Sequence, residues 1–383
     1  MGDDESEIVE EEIFDAEEVP VDDVEEPAEE IDNEATRLHI PWAPLQEHLL
    51  LKLMDHLPGK RLLCNTIGKA RFAQAWGMER PTGDAVCIVR DHFHFQNLKA
   101  THGVPENVKF LCQPDAPAEE FDAAGFALSK TGEGEFARDL MQQGYDRLKI
   151  GGRLAVSVDN ADDRWVAEEM SKLCRDFSRR KVKRGVVYWS VKNHPLKKLK
   201  NFDSEVVFRD RQNLVKLFTR PSVFSHRKLD LGARALLETV DIRPGSRVLD
   251  LGCGSGAVAL SAALRHPDVT SLGVDSNPRA VQCVRRGAEA HNVADRVRAV
   301  LDSDGSNVPR SAFDFVFTNP PYYSQNRISE IFLQIALKAL IPGAWLYLVT
   351  KRPDWYFDRL PQLFINYTDI QHRGYTLFSA QKR

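Results

Sequence analysis

Four consecutive residues, Asn319, Pro320, Pro321 and Tyr322, are suited to one kind of substrate. They follow FDFVFT, an apolar run that predicts a buried strand, and two prolines end a strand because they cannot donate to its ladder. The Asn319 side-chain carbonyl and the Pro320 main-chain carbonyl are acceptors for the two N–H groups of a planar amine. Tyr322 offers a flat face on which a base can stack. This acceptor stretch, residues 319–322, therefore predicts a site for a weakly nucleophilic planar nitrogen.

A glycine loop lies upstream, where Gly252, Gly254 and Gly256 follow the apolar run RVLDL. Glycine permits positive φ and lets a ligand touch the backbone, and the helix predicted after the loop offers unpaired N–H groups. Asp275 ends the next predicted strand, at a sequence distance that suits binding of ribose hydroxyls. Taken alone, this pattern fits both a nicotinamide dinucleotide and S-adenosylmethionine.

Three features favour S-adenosylmethionine. Asp250 lies two residues before the first glycine, where a carboxylate suits an ammonium group and would be placed poorly beside a pyrophosphate. The glycines follow the spacing G-x-G-x-G, and an acid, Asp302 with Asp304 as a competing choice, follows the third predicted strand, where the adenine amino group can bind. We therefore predict methyl transfer that depends on positioning and on removal of water. Helix capping is the alternative role for Asp250 and Asp275.

The elements that would position these residues occur twice. Strand-like and helix-like segments alternate from Gly245 onward, which predicts an α/β fold with a doubly wound, mostly parallel sheet. The last two segments, NYTDIQH and GYTLFSAQK, predict a hairpin on the sheet edge. The first half repeats the same order roughly 190 residues earlier. We predict two tandem Rossmann-like domains, with an unrelated α/β domain in the first half as the alternative.

The two copies differ where the chemistry would occur. In the first half, Cys64 stands at the position of Asp250, and Thr66 and Ala70 replace two of the glycines. The segment ALSKTG replaces the acceptor stretch. We expect the first copy to keep the fold and to lack a working site. The predicted organisation is a disordered acidic tail over residues 1–36, a degenerate non-catalytic domain over 37–200 and a catalytic domain over 201–383.

Charge is divided unevenly along the 383 residues. Of the 56 Asp and Glu, 18 lie within residues 1–36, which contain no Lys or Arg; this leaves 38 acids against 51 Lys and Arg elsewhere. Such a tail is a solubiliser or a competitor of nucleic acid for the basic surface. Between the copies, residues 172–200 contain eleven Lys or Arg, one Asp and the aromatics Tyr188 and Trp189, which predicts contact with RNA or DNA.

Several classes of protein are disfavoured by the sequence. No apolar run approaches the roughly 20 residues of a membrane helix, and an acidic N-terminus does not fit a secretory signal. The six cysteines form no C-x-x-C pair, so a zinc site or a disulfide framework is disfavoured and buried thiols are expected. We expect a cytoplasmic protein without a metal or a membrane partner. Two similar domains in one chain would make a monomer sufficient.

With these motifs in hand, the chain resembles S-adenosylmethionine-dependent methyltransferases of the small-domain superfamily. It is most similar to the bacterial ribosomal RNA guanine-N2 methyltransferases that carry two tandem domains. The resemblance rests on PSVFSHRKLDLGARALLETV, VLDLGCGSG and TNPPYY, and covers the chain from about residue 220 to its end. In that family the N-terminal half is a degenerate domain without cofactor, thought to help hold RNA and the catalytic domain. The acidic tail is a departure from the pattern.

The resemblance implies roles for individual residues. The residues expected to bind S-adenosylmethionine are Asp250, Gly252, Gly254, Gly256, Asp275, Ser276 and Asp302. The catalytic group is the acceptor stretch, Asn319, Pro320, Pro321 and Tyr322, which would orient a guanine amine. Phe224 and Ser225 would help to form a lid over the pocket. The implied reaction is methylation of the exocyclic N2 amine of a guanine in ribosomal RNA, free or in a ribosomal particle.

Two alternative functions stay open from the sequence. The first is methylation of an adenine N6 amine in nucleic acid or of a glutamine side chain in a protein. Tyr322 stands where several guanine enzymes have Phe, and Tyr is also common in adenine-N6 and protein-glutamine methyltransferases. The basic body of the chain disfavours a protein substrate. The alternative from another class is a non-catalytic RNA-binding protein of ribosome assembly, against which the intact glycine loop, Asp275 and Asn319 argue.

Overall fold

The structure, a computed structural model, describes residues 43–321 and 326–383. Within these residues the chain forms two seven-stranded sheets and one two-stranded hairpin. The predicted tail over residues 1–36 and the predicted catalytic residue Tyr322 lie outside the described residues. What the sequence indicates for them stays a prediction.

The N-terminal half, residues 43–200, contains the first sheet. Its strands are β1 (Arg61–Asn65), β2 (Asp84–Val89), β3 (Val108–Cys112), β4 (Phe121–Leu128), β5 (Leu148–Val158), β6 (Ser178–Val182) and β7 (Gly185–Val191). Its helices are α1 (Leu45–Leu51), α2 (Arg71–Glu79), α3 (His92–Lys99), α4 (Gly134–Arg147) and α5 (Trp165–Leu173), with a 3₁₀ turn at Met54–His56.

The C-terminal half, residues 201–383, begins with a hairpin and continues into the second sheet. The hairpin is β8 (Ser204–Asp210) and β9 (Asn213–Thr219). The sheet strands are β10 (Arg247–Leu251), β11 (Thr270–Asp275), β12 (Val297–Leu301), β13 (Phe313–Thr318), β14 (Leu340–Thr350), β15 (Ile365–His372) and β16 (Tyr375–Gln381). The helices are α6 (Leu231–Thr239), α7 (Ala257–Arg265), α8 (Pro278–Ala290), α9 (Arg327–Ala339) and α10 (Asp354–Leu363).

The two sheets have the same topology. The strand orders are β3-β2-β1-β4-β5-β7-β6 and β12-β11-β10-β13-β14-β16-β15. In each, the first five positions are parallel, and an antiparallel hairpin closes the edge beyond the fifth strand. The predicted α/β class, with two tandem, mostly parallel sheets, is confirmed. So is the C-terminal edge hairpin.

One placement from the sequence is wrong. The basic run over residues 172–200 was expected between the copies, yet it contains β6 and β7, which pair with each other and belong to the first sheet. Strand β6 is the sheet edge and has no fully buried residue. A strand exposed on both faces lacks the alternation of apolar and polar residues that reveals strands in sequence. The long connection between the sheets is the hairpin β8–β9 and the segment that follows it.

The cores explain why the strands read as apolar runs. Parallel strands covered by helices on both faces are buried throughout, as in β10 and β13. The hairpin β8–β9 joins the core of the second sheet, because Val215 and Leu217 pack with residues of α7.

Five of the six cysteines are buried, as expected. In the described part of the chain, no helix has the length and apolarity to cross a membrane.

The halves are joined through a buried network of charges. The Arg279 side chain of α8 is fully buried and forms an ion pair with Asp139 of α4. Arg279 Nε also donates to the Pro114 carbonyl at 2.7 Å. Arg220 binds Asp115 through two hydrogen bonds of 2.9 and 2.6 Å. Breaking one partner of such a network leaves a buried charge uncompensated, so these contacts hold the two halves in one arrangement.

Candidate active site

The predicted site residues of the C-terminal half converge on one edge of its sheet. Asp250 lies near the carboxyl end of β10 and Asp275 ends β11, while Asp302 and Asn319 directly follow β12 and β13. These four strands are neighbours in the order β12-β11-β10-β13. The chain runs outward from β10 through β11 to β12 and then returns to the other side of β10. Open α/β sheets bind ligands at such a switch point.

The glycine loop connects β10 to α7 and has the backbone that the sequence predicts. Its three glycines adopt left-handed φ values of 73°, 52° and 84°. A Cβ atom on Gly254 would meet no atom closer than 3.9 Å, so the loop backbone lies beside open space at that residue. A ligand can therefore approach the Gly254 backbone closely.

Asp250 is buried at the base of this loop. Its Oδ2 atom accepts a 3.0 Å hydrogen bond from the Ala259 N–H in the first turn of α7, so the capping contact considered from the sequence exists. Burial raises the pKa of the Asp250 carboxyl to about 7, and the nearby Asp275 adds to this rise. Burial thus destabilises the anionic form of Asp250, and a cationic ligand beside it would stabilise that form.

Asp275 fixes the loop from the neighbouring strand. Its two carboxylate oxygens accept from the Gly254 N–H at 2.8 Å and from the Asn277 N–H at 2.9 Å. Burial raises its pKa. The side chain of Ser276, which follows, points to the N-terminal half and donates to Asp91 at 2.7 Å. Of these two predicted cofactor residues, Asp275 thus contacts the glycine loop, and Ser276 is at the contact between the halves.

Asp302 organises the turn after β12. Its carboxylate accepts from the backbone N–H groups of Asp304, Gly305 and Asn307, at 2.9, 2.9 and 2.6 Å. The side chain is buried, with 2% exposure. Its backbone N–H donates to the Asp275 carbonyl at 3.0 Å, which places it beside the loop. A direct contact of Asp302 with adenine stays a prediction.

Asn319 is held by an acid to which sequence reasoning assigned no role. Its Nδ2 atom donates to Asp230 Oδ2 at 2.8 Å. The same oxygen accepts from the Ala233 N–H at 2.8 Å and caps α6. A Cβ atom on Gly232 would lie 2.6 Å from Asn319 Nδ2, so only glycine permits this approach. The cap signature was visible in LDLGA, since Asp before an apolar helical run is a typical N-cap.

The described part of the acceptor stretch leaves the sheet beside this contact. Pro320 is buried and Pro321 is half-buried. The residue before Asn319 is also fixed, because Thr318 Oγ1 donates to the Leu251 carbonyl of β10 at 3.1 Å. The stretch therefore starts from a rigid position next to the glycine loop.

The predicted lid residues lie across the same loop. Phe224 is 65% exposed, and its carbonyl oxygen is the atom nearest to the space beside Gly254. Ser225 is half-buried with a left-handed φ of 58°. We call residues 221–230 the lid segment, since they connect the hairpin β8–β9 to α6 and pass over the glycine loop.

The equivalent loop of the N-terminal half is filled by its own chain. The carboxylate of Glu47, a fully buried residue of α1, accepts from Ile67 N and Gly68 N at 3.2 Å each and from Arg71 N at 2.7 Å. It also binds the Thr66 hydroxyl. A Cβ atom on Gly68 would lie 2.6 Å from Pro44, so at Gly68 the backbone is covered, whereas at its counterpart Gly254 it is open. Sequence reasoning found the lost glycines and missed Glu47.

The match to known proteins agrees with this asymmetry between the halves. Residues 214–379 match the family model of the methyltransferase small domain. Over this region, which is less than half of the chain, the protein is similar to methyltransferase small domains. The region contains the glycine loop, the four strand ends and the described acceptor residues.

Relatives of the methyltransferase small domain act on ribosomal RNA according to their names. Ribosomal RNA small subunit methyltransferase C of Hahella chejuensis is 34% identical over 155 residues, which is 38% of this chain and 44% of the relative. Ribosomal RNA large subunit methyltransferase G of Pseudomonas syringae pv. tomato is 35% identical over 157 residues, 39% of this chain and 41% of the relative. The matches thus span less than half of these relatives.

One solved structure resembles most of the chain and not only residues 214–379. It is the 16S rRNA N2 methyltransferase RsmC of T. thermophilus, in complex with AdoMet and guanosine. The TM-score is 0.74 at 21% identity, over 89% of this chain and 93% of that one. The tandem arrangement of two sheets is therefore a shared fold.

Proposed function

We propose that this protein transfers a methyl group from S-adenosylmethionine to the exocyclic N2 amine of a guanine in ribosomal RNA. The catalytic domain in this proposal is residues 201–383, and residues 37–200 form a non-catalytic domain. The observation that carries the proposal is the meeting of the glycine loop, Asp275 and an oriented Asn319 at the switch point of the second sheet. The names of the relatives, including the RsmC structure with AdoMet and guanosine, support the choice of cofactor and acceptor.

The residues of the loop fit this cofactor. The open space beside Gly254 admits a ligand to the backbone. Asp250, with its raised pKa, favours a ligand that carries a positive charge, and an ammonium group meets that requirement. Asp275 would bind the ribose hydroxyls. When bound, S-adenosylmethionine supplies a methyl group on a sulfonium, so the leaving group needs no further activation.

Asn319 would hold the acceptor. Since its Nδ2 atom donates to Asp230, its Oδ1 atom is turned to the other side of the amide as the acceptor for an amine N–H. The Pro320 carbonyl would accept the second N–H. The amine nitrogen would then form the new N–C bond, the electron pair of the broken S–C bond would stay on sulfur, and one amine proton would be released to bulk water when the site opens. The rate enhancement comes from positioning two reactants in a site that excludes water.

The N-terminal half would contribute an RNA surface. Edge strand β6 carries Arg179, Arg180 and Lys181, and Lys183 and Arg184 form the exposed turn after it. The edge strand β15 occupies the same position in the second sheet and has no Lys or Arg. The equivalent edge position of the second sheet is thus formed without these charges. A basic strand suits the phosphate backbone of RNA. We propose that a single chain suffices, acting in the cytoplasm on ribosomal RNA or a ribosomal particle.

Calorimetry with S-adenosylmethionine tests the proposal. We expect binding by the full chain at one site, and a large loss of affinity in Asp275→Ala. Asp268→Ala is a matched control, because Asp268 lies in the loop that leads into β11, at the other end of that strand. Absence of binding, or equal binding by wild type and Asp275→Ala, would contradict the proposed methyl transfer and favour the non-catalytic RNA-binding alternative.

A further inference from the structure

The lid segment has a backbone that its surroundings must maintain. Three of its residues, Ser222, Ser225 and Arg227, have left-handed φ values of 74°, 58° and 65° without being glycine. Such residues persist where neighbouring groups over-determine their conformation. The question is which groups do so here.

On one side the lid segment is bound by the C-terminal half. Asn277, at the N-cap of α8, donates through Nδ2 to the Ser222 carbonyl at 2.7 Å. Asn277 lies two residues after Asp275 and is bound to it through its own N–H. The lid segment is thus connected to the predicted ribose-binding acid by two hydrogen bonds.

On the other side the lid segment is bound by the N-terminal half. Glu135 accepts from Arg227 Nε at 2.7 Å and from Arg227 Nη2 at 2.9 Å, and His226 Nε2 lies 3.0 Å from the same carboxylate. Glu133 accepts from the Ser222 N–H at 2.8 Å. A bidentate contact of guanidinium with carboxylate fixes orientation as well as distance.

The position of these two acids in the fold is informative. Glu133 occupies the N-cap position of α4, where its side chain makes no capping hydrogen bond, and Glu135 lies in the first turn. The segment from β4 to α4 is the counterpart of the segment from β13 to α9, which contains the acceptor stretch. We propose that this counterpart segment, together with the first turn of α4, positions the lid segment of the catalytic half for cofactor binding, with Glu135 as the positioning residue. This inference rests on the proposed function.

A second contact from the N-terminal half reaches the same sheet edge. Asp91 accepts from the Ser276 hydroxyl, and the His92 N–H donates to the Ser276 carbonyl at 2.8 Å. His92 Nδ1 lies 3.1 Å from Ser303 Oγ. Ser276 and Ser303 directly follow the predicted ribose and adenine acids. The N-terminal half therefore touches the predicted cofactor site at its lid and at its adenosine end.

The chain provides a closely matched control for Glu135. Glu238 also binds a His-Arg pair, with hydrogen bonds of 2.6 and 2.8 Å from Arg373 and 2.8 Å from His372. The side-chain exposures are similar, 30% for Glu135 and 28% for Glu238. Glu238 additionally accepts from Arg234 of α6 at 2.7 Å. All four residues of the control lie in the C-terminal half, and Glu238 is at the end of α6 remote from Asp230. Glu238→Gln thus removes an equivalent ion pair that does not reach the lid segment.

The experiment compares S-adenosylmethionine affinity by calorimetry in full-length Glu135→Gln and Glu238→Gln. If the bound lid arrangement falls to about a tenth of the population in Glu135→Gln, the Kd rises about tenfold. The control should stay within about twofold of wild type. The charge-swapped double variant Glu135→Arg, Arg227→Glu should recover part of the lost affinity, which a general loss of stability would not allow.

A second readout needs no cofactor. Trypsin should cleave the lid segment after Arg227 or Lys228 faster in Glu135→Gln than in wild type and Glu238→Gln. Equal affinity and equal cleavage in Glu135→Gln and wild type would overturn the inference. Failure of the wild-type chain to bind S-adenosylmethionine would instead overturn the proposed function, while the cleavage rates would still report on the contact itself.

Discussion

Asn319 Nδ2 donates to Asp230 Oδ2 at 2.8 Å, so the first residue of the acceptor stretch is bound to the N-cap of helix α6. The contact joins the end of β13 to the segment that crosses the glycine loop. It fixes which of the two amide atoms of Asn319 is the acceptor. Asp230 is therefore a positioning residue for the proposed reaction, acting through Asn319.

Substituting Asp230 should separate turnover from binding. In Asp230→Ser a serine can still cap α6, but the acceptor for Asn319 Nδ2 is lost, and we expect kcat to fall about 100-fold because the amide is misplaced. Steady-state kinetics and calorimetry measure kcat and cofactor affinity. Asp230→Asn keeps an oxygen acceptor and should retain more activity than Asp230→Ser. Equal kcat in Asp230→Ser and wild type would contradict the positioning role.

Removal of the Asn319 side chain tests its assignment to the acceptor. Asn319→Ala should nearly abolish methyl transfer and leave cofactor affinity within about threefold of wild type, since the amide is proposed to touch the amine and not the cofactor. Single-turnover kinetics and calorimetry provide the two values. A large loss of cofactor affinity would mean that the role of Asn319 is wrongly assigned.

Cofactor affinity should depend on pH through Asp250. Its pKa is about 7 in the ligand-free protein, so below pH 7 the carboxyl is protonated and an ammonium ligand must displace the proton. Affinity should therefore rise with pH by up to about tenfold per unit below pH 7 and level off above it. Titrations from pH 5.5 to 7.5 measure this. Asp250→Asn should bind more weakly at pH 7.5 and show a smaller slope; an unchanged slope would contradict the assignment.

Glu47 should be structural and should not block a latent second site. Glu47→Ala leaves buried N–H groups of the loop unpaired, so the free energy of unfolding should fall by about 2–4 kcal/mol. Glu47→Gln keeps an oxygen acceptor and should lose less. Thermal unfolding measures the change, and calorimetry should still find one cofactor per chain in both variants. A second bound cofactor in either variant would show that the N-terminal half retains a site.

The sequence predicted the parts of this structure that repeat or that have strong periodicity. The two glycine-loop regions and the five parallel strands of each sheet were visible because buried strands read as apolar runs. Two differences between the copies, Cys64 at the position of Asp250 and Ala70 at the position of Gly256, indicated which copy lacks a ligand-binding loop. Ala70, at the N-cap of α2, nevertheless has a left-handed φ of 54°. The backbone conformation of the loop is therefore retained at this position although the glycine is not.

The contacts that the sequence could not predict join residues distant along the chain. Glu47 fills a loop about twenty residues later, and Arg227 binds Glu135, which is 92 residues away. Neither pair has a spacing that marks it, because tertiary packing alone brings them together. Strand β6 was missed for a different reason. Its charged residues are exposed on both faces, so composition predicted a nucleic-acid surface and periodicity did not predict a strand.

The basic edge strand makes a separate prediction about RNA. The double variant Arg180→Ser, Lys181→Ser should weaken binding to ribosomal RNA and lower the slope of log affinity against log salt by about 1 to 2, because up to two phosphate contacts are lost. Filter binding across a salt series measures this. Arg209→Ser, Arg211→Ser removes two exposed charges from the hairpin β8–β9 and is the matched control. If both double variants lower the RNA affinity and the salt slope equally, β6 contributes only through the general charge of the protein, which would contradict a specific RNA surface on β6.

Nucleoside mass spectrometry of ribosomal RNA tests the central claim most directly. RNA would be compared from a strain lacking the gene and from the same strain expressing wild type or Asn319→Ala. The proposed function predicts that one N2-methylguanosine is lost on deletion, is restored by wild type and is not restored by Asn319→Ala. Unchanged methylguanosine, or the loss of an N6-methyladenosine in its place, would contradict guanine-N2 methylation.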